Sequence, residues 1–319
     1  MIIRSFLILL SMSFTLHSEE NFGIVVHGGA GVMSGLSEKA QHEIHKNIQE
    51  TISEAYAILE GGGSSLDAVE HAVSMLEDSP LFNAGRGSVY NSDEVQEMDA
   101  SIMDGKNRLT GAIASVSIIK NPIKLARKVA EETKHVLLVG EGAERFAKDV
   151  GVEIVDKDYF HHEERYQRVL NSKKQISKSM QSSDKIGTVG AVALDRNGNI
   201  AAATSTGGMT NKMPGRVGDS PIIGSGTWAQ NGVCGVSSTG HGEFFIKYQV
   251  AREVCVRIEY LNQTLSDSAE SIISELNALE AKGGLIAIDH KGKISTPFNT
   301  KGMIRGSQTN KTELKSYIY

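Results

Sequence analysis

An α+β fold is what this 319-residue sequence predicts, and three observations carry it. Short apolar runs of strand length recur beside glycine-rich breaks, as in Ile24-Val25-Val26 before Gly28-Gly29 and Val189 to Leu194 after Gly187. Other stretches place apolar residues at helical spacing, such as Ile44, Ile48, Ile52, Ala55 and Leu59. Two of the apolar runs are joined by Asp195-Arg196-Asn197-Gly198-Asn199, which reads as a hairpin turn. With 40% hydrophobic and 22% charged residues, the chain is neither disordered nor collagen-like, and its length suits one large or two ordinary domains. A net charge of −5 argues against a nucleic-acid partner, which rewards basic patches. Glycine is abundant, at 33 residues, while aromatics are only 6%, a balance that suits tight turns and close approach of backbone to a ligand.

Residues 1–18 read as a secretion signal. Arg4 is their only charge, an apolar run follows from Phe6 to about Leu16, and Ser18 offers a small residue before a cut. That run is shorter than the roughly 20 residues of a membrane span. A buried first strand or a tethered helix is the alternative. The signal reading predicts an exported protein, periplasmic or secreted, with no membrane partner. Cys234 and Cys255 lack the spacing of a metal site or a redox motif. Export would permit a disulfide, but two buried thiols are the expected state.

Residues 23–27 then predict a buried strand. Residues 37–60 predict a helix stopped by Gly61-Gly62-Gly63, and Ser64 with Asp67 three residues on starts another, striped by Leu66, Val69, Val73 and Leu76. A strand is expected at 112–119, a helix at 122–133, a strand at 135–139 and a helix at 141–150. Residues from about 156 to 187 are rich in Lys, Ser, Gln and Asp and read as a solvated, flexible linker. The hairpin of residues 188–194 and 200–206 follows abruptly. No internal repeat is visible.

That junction carries the chemistry. With Arg196-Asn197-Gly198 as the loop, Thr206 falls opposite Thr188 and two hydroxyls share one face; a two-residue Asn-Gly loop would shift the register by one. A threonine hydroxyl needs a base beside it. A chain cut between Gly187 and Thr188 would supply one, the freed α-amine with a pKa of about 7.7–8.0. The plain alternative is an ordinary strand beginning after Gly187. In the long loop that follows, Arg216 can grip a carboxylate through two hydrogen bonds, and Asp219 can hold an ammonium group, as a free α-amino acid head requires. A surface ion pair is the bland reading of the same residues. Ser237-Ser238-Thr239-Gly240-His241-Gly242 adds glycines and a hydroxyl suited to an oxyanion hole. Val139-Gly140-Glu141-Gly142 mimics a dinucleotide turn, but Arg145 stands where a third glycine belongs.

GTVGAVALD, ATSTGGMTNKMPGRVGDSP and STGHGE, in this order, resemble the isoaspartyl peptidase/L-asparaginase family, the plant-type asparaginases among the N-terminal-nucleophile (Ntn) hydrolases. VVHGGAG at 25–31, SMLEDSPLFNAGRGSV at 74–89 and MDASIMDG at 98–105 agree, and the likeness spans about residues 22–305. It implies a four-layer αββα sandwich in which residues 19–187 (α subunit) and 188–319 (β subunit) share one domain after self-cleavage, and a dimer of such α/β pairs. It implies Thr188 as nucleophile, Thr206 as its partner, Thr239 and Gly240 at the oxyanion, and Asn83 supporting the oxyanion or the amine. Arg216, Val217, Gly218, Asp219, Thr239, Gly240, His241 and Gly242 would meet a small substrate, L-asparagine or an isoaspartyl dipeptide. No catalytic cofactor is implied; a structural sodium ion would sit on the backbone carbonyls of Leu76, Glu77, Ser79, Phe82, Ala84 and Arg86. His241 is a departure within the last motif. Glycosylasparaginase activity is the alternative, although that group shows an Asp-Thr-Ile-Gly type of junction.

Overall fold

The structure is a computed structural model that describes residues 20–31, 33, 35–174 and 187–319. The expected signal, residues 1–18, lies outside the described residues, as does the later part of the expected linker.

Two antiparallel-dominated sheets form a mixed α/β protein. The first has eight strands in the order β12 (Thr312–Tyr317), β11 (Gly302–Thr309), β1 (Gly23–Gly31), β5 (Val189–Leu194), β6 (Ile200–Thr206), β2 (Met98–Asp104), β3 (Thr110–Val116) and β4 (Leu137–Val139). Its β3–β4 pair is parallel. The second sheet runs β10 (Ile294–Ser295), β9 (Gly283–Asp289), β8 (Cys234–Gly240) and β7 (Thr227–Gln230).

Side-chain alternation explains how the first sheet is covered. Val189, Ala191 and Ala193 of β5 join the apolar cluster with α1 (Glu38–Glu60), α2 (Ser65–Asp78) and α3 (Pro122–Glu132). Val192 and Leu194, on the opposite face, join the cluster with β7, β8 and β9 and with α7 (Val250–Leu261) and α8 (Leu265–Ala278). Both faces of β5 are therefore buried, and its sequence reads as a continuous apolar run rather than an alternating one.

The helix starts follow local chemistry. Ser37 and Ser64 cap α1 and α2 by accepting from the backbone N–H groups of Ala40 and Asp67. At the other end of α2, buried Glu77 accepts from Ser205 Oγ at 2.6 Å and from the Ile123 N–H at 3.0 Å, joining α2 to β6 and to the start of α3. Burial pushes its carboxyl up to about 8, against the hydrogen bond from Ser205, so it is protonated at neutral pH.

Three expectations need correction. Much of the supposed linker is ordered: residues 157–160 make a 3-10 turn and α5 (Glu163–Lys174) follows. Phe160, Arg165 and Val169 are buried, and Gln96 donates to the Phe160 carbonyl at 2.6 Å. Average polarity hid a narrow buried stripe, because one apolar residue per turn suffices for a helix lying on a finished core. Cys234 and Cys255 are not free thiols but a disulfide, with Cα atoms 5.6 Å apart, which joins β8 to α7. Finally, the chain beyond residue 305, where the motif likeness stops, supplies the second half of β11 and all of β12, and β11 pairs directly with β1.

Candidate active site

The hairpin decides what Thr188 can touch. Gly198 takes the left-handed position at φ 76°, its N–H bonds the Asp195 carbonyl at 3.0 Å, and the Asp195 N–H bonds the Asn199 carbonyl at 2.9 Å. The loop is thus the three-residue one. Val189 faces Ser205 and Leu194 faces Ile200, a register that puts Thr188 opposite Thr206. Thr188 Oγ1 donates to Thr206 Oγ1 at 3.0 Å, and the Gly208 N–H donates to that same oxygen at 3.0 Å. Both threonines are buried.

The Gly187–Thr188 bond lies between the end of β1 and β8. Gly29 has φ 105°, and a Cβ there would come within 2.6 Å of the Gly187 carbonyl carbon. Only glycine fits both that conformation and that approach. From the other side, a Cβ on Gly187 would sit 3.0 Å from Thr239 Oγ1, which accepts from the Ala30 N–H at 3.3 Å. Thr239 is therefore beside the bond expected to break. Gly240, at φ 151°, has no room for a Cβ against the Lys282 carbonyl, 2.5 Å away.

The loop after β6 brings the charged pair together. A Cβ on Gly242, the first residue of α6 (Gly242–Tyr248), would meet Asp219 Oδ1 at 2.9 Å and Arg216 Nη2 at 3.0 Å, so both head groups converge over that glycine. The Arg216 guanidinium also binds Glu243, through Nε at 2.9 Å and Nη2 at 2.8 Å. Asp219 is buried and its Oδ2 has no hydrogen-bond partner. Burial pushes its carboxyl up to about 7, although its own backbone N–H and Arg216 oppose the shift. An acid with a vacant buried acceptor beside an arginine is suited to an incoming ammonium group. Val217 is half-buried between the two, and the Gly218 backbone N–H favours ionised Asp99.

Two predicted residues make hydrogen bonds of their own within the protein. Asn83 reaches the site, but its amide donates to the Gly208 carbonyl at 2.7 Å while its Oδ1 accepts from the Val89 N–H at 3.0 Å. Its amide thereby holds the Gly207–Gly208 turn beside Thr206. His241 caps no helix with its side chain; its Nδ1 accepts from the Lys282 N–H at 3.3 Å, which ties it to the start of β9.

Sequence reasoning missed several neighbours. Lys212 is buried, its Nζ donating to the Glu97 carbonyl at 2.8 Å, and burial lowers its pKa against the pull of Asp99. Buried Asp99 pairs with Thr206 across β2 and β6, and its Oδ1 accepts from the Ser115 N–H at 2.9 Å. His27 lies under the nucleophile strand. The last was visible in HGGAG, but a histidine closing an apolar strand reads as filler. The assembled groups offer a nucleophilic hydroxyl with a hydroxyl partner, a second hydroxyl beside the same peptide, and a paired cation and anion acceptor.

A model of the asparaginase family matches residues 20–318 of the chain. An isoaspartyl peptidase of Escherichia coli is 46% identical over 292 residues, covering 88% of this chain and 91% of that one. An isoaspartyl peptidase/L-asparaginase of Rattus norvegicus is 46% identical over 273 residues, covering 84% and 80%, and one of Homo sapiens is 44% identical, covering 84% and 87%. The matched region includes the C-terminal strands that the motifs alone did not reach. These similarities stand against the expectation of export. Among the described residues no helix is long and apolar enough to cross a membrane.

Proposed function

We infer, because this chain belongs to the asparaginase family, that it is a self-activating amidohydrolase acting on aspartyl side-chain amides. It converts L-asparagine to aspartate and ammonia, and it cleaves β-aspartyl dipeptides. One observation carries the reading: Thr188 Oγ1 donates to Thr206 Oγ1 at 3.0 Å directly after a Gly–Thr bond enclosed by Gly29 and Thr239.

In the activation step, Thr188 Oγ1 attacks the Gly187 carbonyl. The peptide bond to the Thr188 nitrogen breaks, and water hydrolyses the resulting ester. Gly187 leaves with a carboxylate, and Thr188 begins a new chain with a free amine. In turnover, that amine takes the Oγ1 proton as the oxygen attacks the substrate's side-chain carbonyl. Thr206 orients the hydroxyl. The Thr239 hydroxyl and the backbone at Gly240 hold the oxyanion. The proton passes to the departing nitrogen, ammonia or an amino acid leaves, and water releases aspartate. Arg216 binds the substrate's α-carboxylate and Asp219 its α-ammonium, with Val217, Gly218, His241 and Gly242 lining the pocket.

Residues 19–187 and 188–319 share one four-layer αββα domain, and two such pairs assemble into a heterotetramer. Support comes from the two clusters of buried side chains, one between the sheets and the other under α1 to α3. Loop 76–86 suits a sodium ion on the carbonyls of Leu76, Glu77, Ser79, Phe82, Ala84 and Arg86. Glycines near and just past its end pass hard against carbonyl oxygens, Gly85 against Glu77 and Gly87 against Phe82, so a side chain at either position would displace them. The ion would stiffen the loop that carries Asn83.

Intact mass spectrometry tests the reading. Purified protein should give two chains, the second beginning at Thr188, whereas Thr188→Ala should stay whole and inert. Assays on asparagine, β-Asp-Leu and N-acetylglucosaminyl-asparagine should show turnover of the first two. An uncut, inert wild type would end the proposal, and turnover of the glycosylated substrate alone would replace it.

A further inference from the structure

Beneath the nucleophile strand runs a line of buried polar side chains that the hydrolytic scheme does not use. His27, midway along β1, faces Gly190 of β5, and its Nε2 lies 3.0 Å from Ser237 Oγ in the opposite sheet. Ser237 Oγ is 2.7 Å from Thr204 Oγ1, Thr227 Oγ1 donates to Thr204 at 2.6 Å, and Ser101 Oγ lies 2.7 Å from Thr227 Oγ1. Ser101 also donates to the Ser220 carbonyl at 2.6 Å. All five side chains are fully buried. The line therefore joins the strand beside Thr188 to the residue that follows Asp219.

Its passage depends on Gly190. A Cβ there would collide with Ser237 Oγ and lie 2.5 Å from His27 Nε2. At the other end of the imidazole, Nδ1 is buried without a hydrogen-bond partner in the uncut chain. Burial pushes His27 down to about 3, and the Thr188 backbone is what opposes that shift. The ring is thus neutral at any working pH and carries one proton. If Ser237 donates to Nε2, that proton sits on Nδ1, beside the backbone of Thr188.

We propose that His27 is a positioning residue for the nucleophile, its Nδ1 holding the Thr188 backbone while its Nε2 is anchored through Ser237, Thr204, Thr227 and Ser101 to the substrate loop. This rests on Thr188 being the nucleophile. Held there, the start of β5 keeps the Thr188 hydroxyl aligned for attack. A misplacement of about 1 Å at a reacting group can cost about 100-fold in rate.

The test compares two amides of different reach. His27→Asn places its amide near the Nδ1 level, and His27→Gln near the Nε2 level. Steady-state hydrolysis of β-Asp-Leu and the rate of self-cleavage are measured for both, beside wild type and Thr188→Ala. His27→Asn should keep kcat within about tenfold, while His27→Gln should lose about 100-fold in kcat with KM changed less than about threefold. Equal losses in the two variants, or unchanged kcat and self-cleavage with only a lower Tm, would reduce His27 to core filler. Should both fail to fold, Ser237→Ala decides. It frees Nε2 without enlarging the core, and it should lower kcat about tenfold at constant KM; an unchanged kcat overturns the proposal. An inert wild type would instead strike the functional reading itself.

Discussion

The role proposed for Asp219 predicts that substrate capture depends steeply on pH. Its carboxyl is buried, its Oδ2 is unpartnered, and burial holds its pKa at about 7. An ammonium group binds the charged form, and that form disappears as pH falls through 7. About one-eleventh of the free enzyme has the carboxylate at pH 6 and about one-hundredth at pH 5, a cost of about 1.4 kcal/mol per pH unit. The Thr188 amine, with a pKa of about 7.7–8.0, must also lose its proton to act as base. Two deprotonations then govern the free enzyme, so log kcat/KM for β-Asp-Leu should fall with a slope of two below about pH 6. Once substrate is bound, its ammonium keeps Asp219 ionised, and log kcat should fall with a slope of one. Succinamate, which lacks the α-amino group, separates the two: its log kcat/KM should fall with a slope of one over the same range. Stopped assays from pH 5 to 9 suffice. A slope of one for β-Asp-Leu, or of two for succinamate, would refute the assignment of Asp219 to the ammonium.

Thr206→Val should lower kcat by about 10- to 100-fold and slow self-cleavage, because the Thr188 hydroxyl loses its acceptor and the Gly208 N–H is left unpaired, at about 1–3 kcal/mol; steady-state kinetics and gel time courses check this. Glu77→Gln tests the buried acid. A carboxyl held at about 8 in the fold, against an ordinary 4.5, stabilises the protein below pH 4.5, and that stability is lost progressively as pH rises to 8. The variant keeps an acceptor for Ser205 and lacks that loss, so its Tm should match wild type near pH 5 and exceed it near pH 9. Gly29→Ala must place a Cβ in the left-handed region and against the Gly187 backbone, so intact precursor should accumulate on gels.

What the sequence made legible was local. The Asn-Gly turn set the β5–β6 register because turn type fixes pairing within a hairpin, and that alone placed Thr206 beside Thr188. Arg216 and Asp219 were legible because they stand three positions apart in a glycine-bounded loop. The disulfide was not, since Cys234 and Cys255 are 21 residues apart on different elements and meet only when α7 lies against β8. Helix α5 was hidden by its own composition, where a few buried residues sit among charges. Asn83 reaches the turn after Thr206, and the direction of its amide depends on that Gly207–Gly208 turn, which no motif reveals.

The line from His27 to Ser220 marks the deeper limit. Its members lie at positions 27, 101, 204, 227 and 237, on five strands of two sheets, and each reads alone as an ordinary polar residue in a strand. Their meeting depends on how one sheet lies over the other. At one end of that interface Val192, Leu194, Ile200 and Ala202 make an apolar contact. At the other end the same faces carry Thr188, Gly190, Thr204 and Thr206, because side chains two residues apart share a face. Apolar contact tolerates small slips between sheets, whereas a chain of hydroxyls at 2.6–3.0 Å does not. A line of buried hydroxyls gains little net stability over methyl groups, since each merely replaces water. What it adds is alignment: one sheet carries Thr188, the other the Thr239 hydroxyl, and the distance between them is set by a contact that either is made or fails.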